Sequence, residues 1–188
     1  MDPFSAIIPP LKAGKIGVLP TDTIYGIVGA ALDRRAVERI YRTRKRNPKK
    51  PMIILVASEK DIARFGVRPD AATKRVLARV WPGKVSVVVA IARGNRAARK
   101  KFAYLHRGTG TLAFRVPKPA WLRALIRATG PLVAPSANIE GEAPARTIRA
   151  ARRYFNDAVD FYVDVGRMTS KPSKLIAVQG GATVVLRK

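Results

Sequence analysis

Apolar residues fall in short runs separated by turn residues, and the runs alternate between the spacing of strands and that of helices. Ile16 to Leu19, ending at Pro20, reads as a short buried strand. After Asp33, a natural N-cap, Ala36, Val37, Ile40 and Tyr41 recur at helical spacing and predict a helix over Arg34 to Thr43. Met52 to Val56 is a second strand. Asp70 caps another helix with Val76, Leu77 and Val80 on its inner face, stopped by Pro82-Gly83, and the β-branched run Val85 to Ile91 is a strand. Arg93 to Gly110 is polar, basic and Gly-containing, and reads as a long surface loop or a frayed helix. Thr111 to Arg115 is a strand, Pro119 to Ala128 a helix closed by Gly130, and Pro131 to Ala134 a short strand leading into a polar loop through Gly141. Thr147 to Phe155 is helical, and three short strands follow near Phe161 to Val163, Lys174 to Val178 and Thr183 to Arg187. This alternation argues for an α/β or α+β fold, and with no repeat or linker in view the expectation is one domain over residues 1–188.

Composition narrows the class. At 47% hydrophobic the chain can bury a core. No apolar run approaches the roughly 20 residues that span a bilayer, and Met1 to Ser5 do not read as a secretory signal, so a cytoplasmic protein is expected. The absence of cysteine excludes disulfides, thiolate metal sites and cysteine nucleophiles. Charge changes the picture most: 37 Lys and Arg against 12 Asp and Glu give a formal net charge of +25. So basic a surface attracts polyanions, nucleotides and RNA foremost, although solvated surface charge accounts for the same number.

Several chemistries lack their parts. His106 is the only histidine and lies in a Gly-flanked loop, where plain surface is the ordinary reading. Zinc ligands, a Walker-type phosphate loop and a dinucleotide-binding glycine motif are all missing. What remains is cations and hydroxyls, an inventory suited to binding phosphates and stabilising developing negative charge.

Three segments concentrate that inventory. Leu19 to Gly26 (LPTDTIYG) sets hydroxyls just past a buried strand, where α/β folds hold ligands, and equally reads as a self-satisfied turn. Arg42 to Pro51 carries six basic residues at a helix exit, confined by two prolines; it reads as phosphate-gripping or as charge that complements the helix end. Pro131 to Gly141 sets Ser136 and Asn138 between prolines and a glycine, as anion contacts or as a polar turn.

Together these segments resemble the threonylcarbamoyl-AMP synthase (YrdC-like) family in its short single-domain form. The motifs P-T-D-T-x-Y-G (Pro20 to Gly26), x-R-x-x-K-P (Arg46 to Pro51), W-P-G (Trp81 to Gly83), R-V-P (Arg115 to Pro117) and A-P-S-A-N-x-x-G (Ala134 to Gly141) occur in the family's order, from about Ala13 to the C-terminus. The resemblance implies a twisted mixed sheet wrapped by helices around a large basic cavity. It also implies a reaction: bicarbonate and L-threonine form an N-carboxylated threonine, whose carboxylate attacks the α-phosphate of ATP and releases pyrophosphate. The product, threonylcarbamoyl-AMP, is used by a downstream transferase to modify tRNA. Carried over by position, Thr23, Arg115 and Ser173 are implied to contact threonine, and Arg46, Lys50, Thr111, Ser136, Asn138 and Arg187 to contact ATP. Arg44, Arg46, Ser136 and Asn138 form the implied catalytic group, and Mg²⁺ is implied to accompany ATP.

The chain departs from the family in places. Arginine stands at Arg44 where lysine opens the family's K-x-R, with Lys45 directed elsewhere on the helix; Glu140 replaces a common serine, and Ser173-Lys174-Leu175 replaces S-T-[IV]. Guanidinium and ammonium are not equivalent. An active enzyme is still the expectation, with Arg44→Lys leaving activity intact or improved. The alternatives are a module that binds tRNA or double-stranded RNA without turnover, with the basic run Arg93 to Lys101 as a contact, and a paralogue acting on another small acid.

Overall fold

A computed structural model of the chain describes residues 4–179 and 182–188. Among the described residues nine strands form one mixed sheet: β1 (Gly17–Pro20), β2 (Tyr25–Ala30), β3 (Ile53–Leu55), β4 (Val85–Ala90), β5 (Thr111–Arg115), β6 (Leu132–Val133), β7 (Phe161–Tyr162), β8 (Lys174–Gln179) and β9 (Ala182–Arg187). Their order is β7-β1-β2-β6-β3-β5-β4-β8-β9. The pairs β1/β7, β3/β5 and β4/β8 are parallel and the others antiparallel.

Side-chain alternation distributes the core over both faces. Val18, Ile27, Ile54 and Val133 point to one side, against α2 (Arg34–Thr43) and α7 (Ile148–Phe155), which contribute Ala36, Val37, Ile40, Ile148, Ala151 and Phe155. The neighbouring positions Leu19, Val28, Leu55 and Leu132 point to the other side, where α1 (Ile8–Lys12) and α6 (Ala120–Thr129) bury Leu11, Leu122, Leu125 and Ile126. Helix α3 (Ala71–Val80) adds Leu77 to the first core.

The Asp33 cap forms as expected: its Oδ1 accepts from the N–H groups of Arg35 (2.8 Å) and Ala36 (3.4 Å). Thr73 N–H caps α3 through Asp70 in the same way (2.7 Å).

Of the two readings of residues 93 to 110, a surface loop or a frayed helix, the structure favours helix: two short ones form, α4 (Arg96–Lys101) and α5 (Ala103–His106). Ala98, Phe102 and Leu105 bury a helical stripe there that the surrounding cations mask. Lys45 also lies beyond the helix end, exposed and at φ 49°, rather than on the helix itself. Strand β2 was not foreseen, since its two glycines weaken the strand pattern. Gly29 has a packing reason: a Cβ there would lie 3.0 Å from Ile16 Cγ2 and 3.2 Å from Ile40 Cδ1, so the glycine admits α2 close to the sheet. Helix α1, with Pro9 and Pro10 at its start, and a 3₁₀ turn over Glu59–Phe65 were likewise not anticipated.

Candidate active site

The sheet face that α1 and α6 cover at one end continues, uncovered by helix, as the floor of a cavity of about 500 Å³. Ile53 on β3, Thr111, Ala113 and Arg115 on β5, Val88 on β4 and Leu175 on β8 supply that floor. The paired registers Ile53↔Ala113 and Val88↔Ala113 put them on one side. The walls are the β1–β2 turn with Thr21 and Thr23, the helix exit with Arg46, the segment Ala134 to Ser136, and the C-terminal strands with Ser173 and Arg187. Thr23, Arg46, Thr111, Arg115, Ser136, Ser173 and Arg187, scattered over the sequence, are thereby brought together.

Among the described residues none that lines the cavity is acidic, and three are arginines. The Arg187 guanidinium is held by Ser173, donating from Nη2 to the carbonyl (2.9 Å) and to Oγ (3.2 Å), while Ser173 Oγ meets Ser86 Oγ at 3.0 Å. Burial pulls its pKa down from the ordinary arginine value, and the charge of Arg46 pulls it further. Arg46 donates to the carbonyls of Lys50 (3.1 Å) and Pro51 (2.8 Å), which fixes the guanidinium at the rim. These neighbouring cations, with no acid between them on the cavity wall, make an anion site.

Arg115 is 3% exposed and meets Asp22 Oδ1 with Nη2 at 2.9 Å. The contact is off the line a hydrogen bond needs: neither Asp22 oxygen nor Arg115 Nε has a hydrogen-bond partner among the described residues. Burial pulls the Arg115 pKa down, Asp22 opposes this, and Arg187 adds to the fall. A buried guanidinium with unspent donors can accept a carboxylate as a fork. Asp22 is the functional candidate that sequence reasoning passed over, although its own motif contains it.

Arg44 and Asn138 lie behind the wall rather than on it. Arg44, 2% exposed, donates from Nε to the Asn138 carbonyl (3.0 Å) and from Nη2 to Ser136 Oγ (3.3 Å) and Asn138 Oδ1 (3.3 Å). The Asn138 amide donates to the carbonyls of Ile139 (2.7 Å) and Glu142 (2.9 Å), so this side chain staples its own loop. Burial, with Arg46 adding, brings the Arg44 pKa down to about 10, which leaves it cationic at neutral pH. Lys50 also stands apart from the cavity lining. Its Nζ is 2.6 Å from Glu140 Oε1, and Glu140 Oε2 accepts from Asn47 N–H at 2.5 Å. The unusual Glu140 therefore ties the helix-exit turn to the loop after Asn138, and Lys50 and Asn47 hold its carboxyl below the usual carboxylate range.

The β1–β2 turn is ordered by its own hydroxyls. Thr21 Oγ1 donates to the Ile24 carbonyl (2.8 Å) and so can only accept from Thr23 Oγ1 (3.0 Å), which leaves the Thr23 oxygen's lone pairs free for a donor in the cavity.

Comparison with known proteins bears on family and fold. The Sua5/YciO/YrdC family model, described as telomere recombination, matches residues 10–188. A threonylcarbamoyl-AMP synthase of Marinobacter nauticus is 35% identical over 174 residues, covering 90% of this chain and 87% of that protein. The crystal structure of Pyrococcus abyssi Sua5 complexed with L-threonine superposes with a TM-score of 0.85 at 26% identity, covering 98% of this chain and 53% of that one, so the chain spans about half its length. Escherichia coli YciO shares the fold, with a TM-score of 0.83 at 21% identity, covering 98% of this chain and 88% of that one.

Proposed function

The chain belongs to the Sua5/YciO/YrdC family, and from that premise we propose that it is an L-threonylcarbamoyladenylate synthase, a nucleotidyltransferase acting on L-threonine, bicarbonate and ATP. The observation that carries this reading is the acid-free cavity, in which three arginines and the hydroxyls of Thr23, Thr111, Ser136 and Ser173 converge from separate segments. Every reactant is an anion or bears a carboxylate, so such a wall binds all of them and offers no competing nucleophile.

In this reading Arg115 takes the threonine carboxylate, with Thr23 and Ser173 nearby, and Asp22 keeps its buried guanidinium charged and oriented. Arg46, Arg187, Thr111 and Ser136 take ATP. Bicarbonate and the threonine amine condense with loss of water, and an oxygen of the resulting N-carboxylate, not of the carboxylate held by Arg115, bonds to the α-phosphorus as the bond to the pyrophosphate oxygen breaks. The arginines supply positioning and charge, which is most of what such a transfer asks of a protein. Arg44 and Asn138 act through Ser136, by holding its loop. Lys50 reaches nucleotide only by leaving Glu140. Because the described residues that line the cavity include no carboxylate, Mg²⁺ would come as the counter-ion of ATP rather than sit in a protein-built site, and would supply charge neutralisation at the phosphates. The product passes to a tRNA threonylcarbamoyl transferase in the cytoplasm, and the +25 charge supports affinity for tRNA or double-stranded RNA on the outer surface.

Calorimetric titration of an Arg115→Ala variant tests the role assignment. L-threonine affinity should fall about 100-fold, the worth of a lost charge-assisted fork, while ATP affinity stays within about threefold. A collapse of ATP binding with threonine binding retained would reverse the assignment.

A further inference from the structure

His106, the chain's only histidine, is 7% exposed, and the expectation that it is plain surface does not hold. It ends α5 and opens the loop that leads into β5. That loop turns through positive-φ backbone at Arg107 (φ 50°), Gly108 (φ 93°) and Gly110 (φ 68°), and it brings Thr109 and, at its exit, Thr111 to the cavity. Residues 108 to 110 spend their donors on His106. Its Nδ1 accepts from the N–H groups of Gly108 (3.1 Å) and Gly110 (3.3 Å), and its carbonyl accepts from Thr109 N–H (2.9 Å) and Thr109 Oγ1 (2.7 Å).

The partners fix the tautomer. Two N–H groups face Nδ1, so that nitrogen carries the lone pair; a carbonyl, that of Arg99, faces Nε2 at 2.8 Å, so that nitrogen carries the proton. The order then passes outward. With its proton on the His106 carbonyl, Thr109 Oγ1 accepts from Thr111 Oγ1 (3.1 Å) and from Thr111 N–H (3.2 Å). The direction of the Thr111 hydroxyl at the cavity is thus set, through Thr109, by the residue that gathers the loop. The strand that follows carries Arg115.

We propose that His106 is a positioning residue for the nucleotide half of the site: its Nδ1 lone pair holds the 107–110 loop so that Thr109, whose own hydrogen bonds are spent inside the loop, aims the Thr111 oxygen at bound nucleotide. The assignment of that half to nucleotide rests on the function proposed above; the loop-holding role does not.

The experiment uses wild type, His106→Asn and His106→Leu. Asparagine Oδ1 can stand where Nδ1 stands and accept from both glycines, whereas leucine fills the space and accepts nothing. Nitrogen-15 NMR of the single imidazole should show the neutral form with its proton on Nε2. Amide exchange at Gly108 and Gly110 should be slow in wild type and His106→Asn, and at least tenfold faster in His106→Leu. ATP affinity should follow the same order, within about threefold for asparagine and down about tenfold or more for leucine, with L-threonine affinity unchanged throughout; tenfold is the worth of about one lost hydrogen bond. A proton on Nδ1, unprotected glycine amides in wild type, or a folded leucine variant with unchanged exchange overturns the loop-holding role. Altered exchange with both ligands weakened equally, or with ATP affinity unchanged, overturns the nucleotide half of the proposal. If wild type fails to bind ATP, the function proposed above fails, and the NMR and exchange results still decide the role of His106.

Discussion

Arg44 occupies a position where family resemblance leads one to expect lysine, and its surroundings are built for the larger group. One guanidinium spans Ser136 Oγ, the Asn138 carbonyl and Asn138 Oδ1, while the Arg44 carbonyl accepts from Glu140 N–H (2.9 Å). A lysine ammonium is a single point that cannot hold both residues in one geometry. Arg44→Lys should therefore lower the turnover rate about tenfold and stability by about 1–2 kcal/mol, read by pyrophosphate release and urea unfolding. This reverses the expectation drawn from the motif alone; unchanged activity would show that the spanning contacts carry nothing. The sequence made Ser136 and Asn138 legible as a pair, but not that one lines the cavity and the other staples the loop. That division depends on partners drawn from Arg44, just past the end of α2, and from residue 142. Asp22 was illegible for a related reason: the value of a buried carboxylate lies in the residue opposite, and Arg115 is 93 positions away in sequence.

At the scale of elements, period and caps carried most of the information. The helix over 34–43 and the strand over 111–115 follow from Asp33 and from Leu112 and Phe114 alternating with Thr111, Ala113 and Arg115. Strand β2 was hidden, and α4 and α5 were left open between loop and frayed helix, because tertiary packing overrides weak local signals: Gly29 serves the approach of α2, and Ala98, Phe102 and Leu105 bury a stripe among cations. One ion pair ties these layers at the sheet edge. Asp160, just before β7, accepts from Ile16 N–H (2.9 Å) and pairs with Arg39 of α2 at 2.5 Å. Burial alone would raise its pKa, but the Ile16 N–H and Arg39 outweigh it and hold the carboxyl below the ordinary value. A depressed carboxylate stabilises the fold above its unfolded pKa of about 4, and that contribution is lost as pH falls through the lower folded value. Asp160→Asn should cost about 1 kcal/mol at pH 7, and its difference from wild type should shrink in acid. A difference that is constant with pH, in denaturant titrations at several pH values, would remove the charge from the account.

For the whole molecule, the net charge and the cavity point the same way but answer different questions. The surface charge of +25 bears on polyanion affinity and its steep salt dependence, and says little about catalysis. The acid-free cavity on an open sheet face bears on chemistry. The most direct test of the central claim is pyrophosphate release from ATP and Mg²⁺ by the purified protein, with L-threonine and bicarbonate withheld in turn. The account predicts release that requires both, with L-serine supporting it only weakly, since one methyl group is worth about 1–3 kcal/mol. Release that ignores threonine, or none at all while ATP binds, would contradict it and leave a nucleotide- or RNA-binding protein without this turnover.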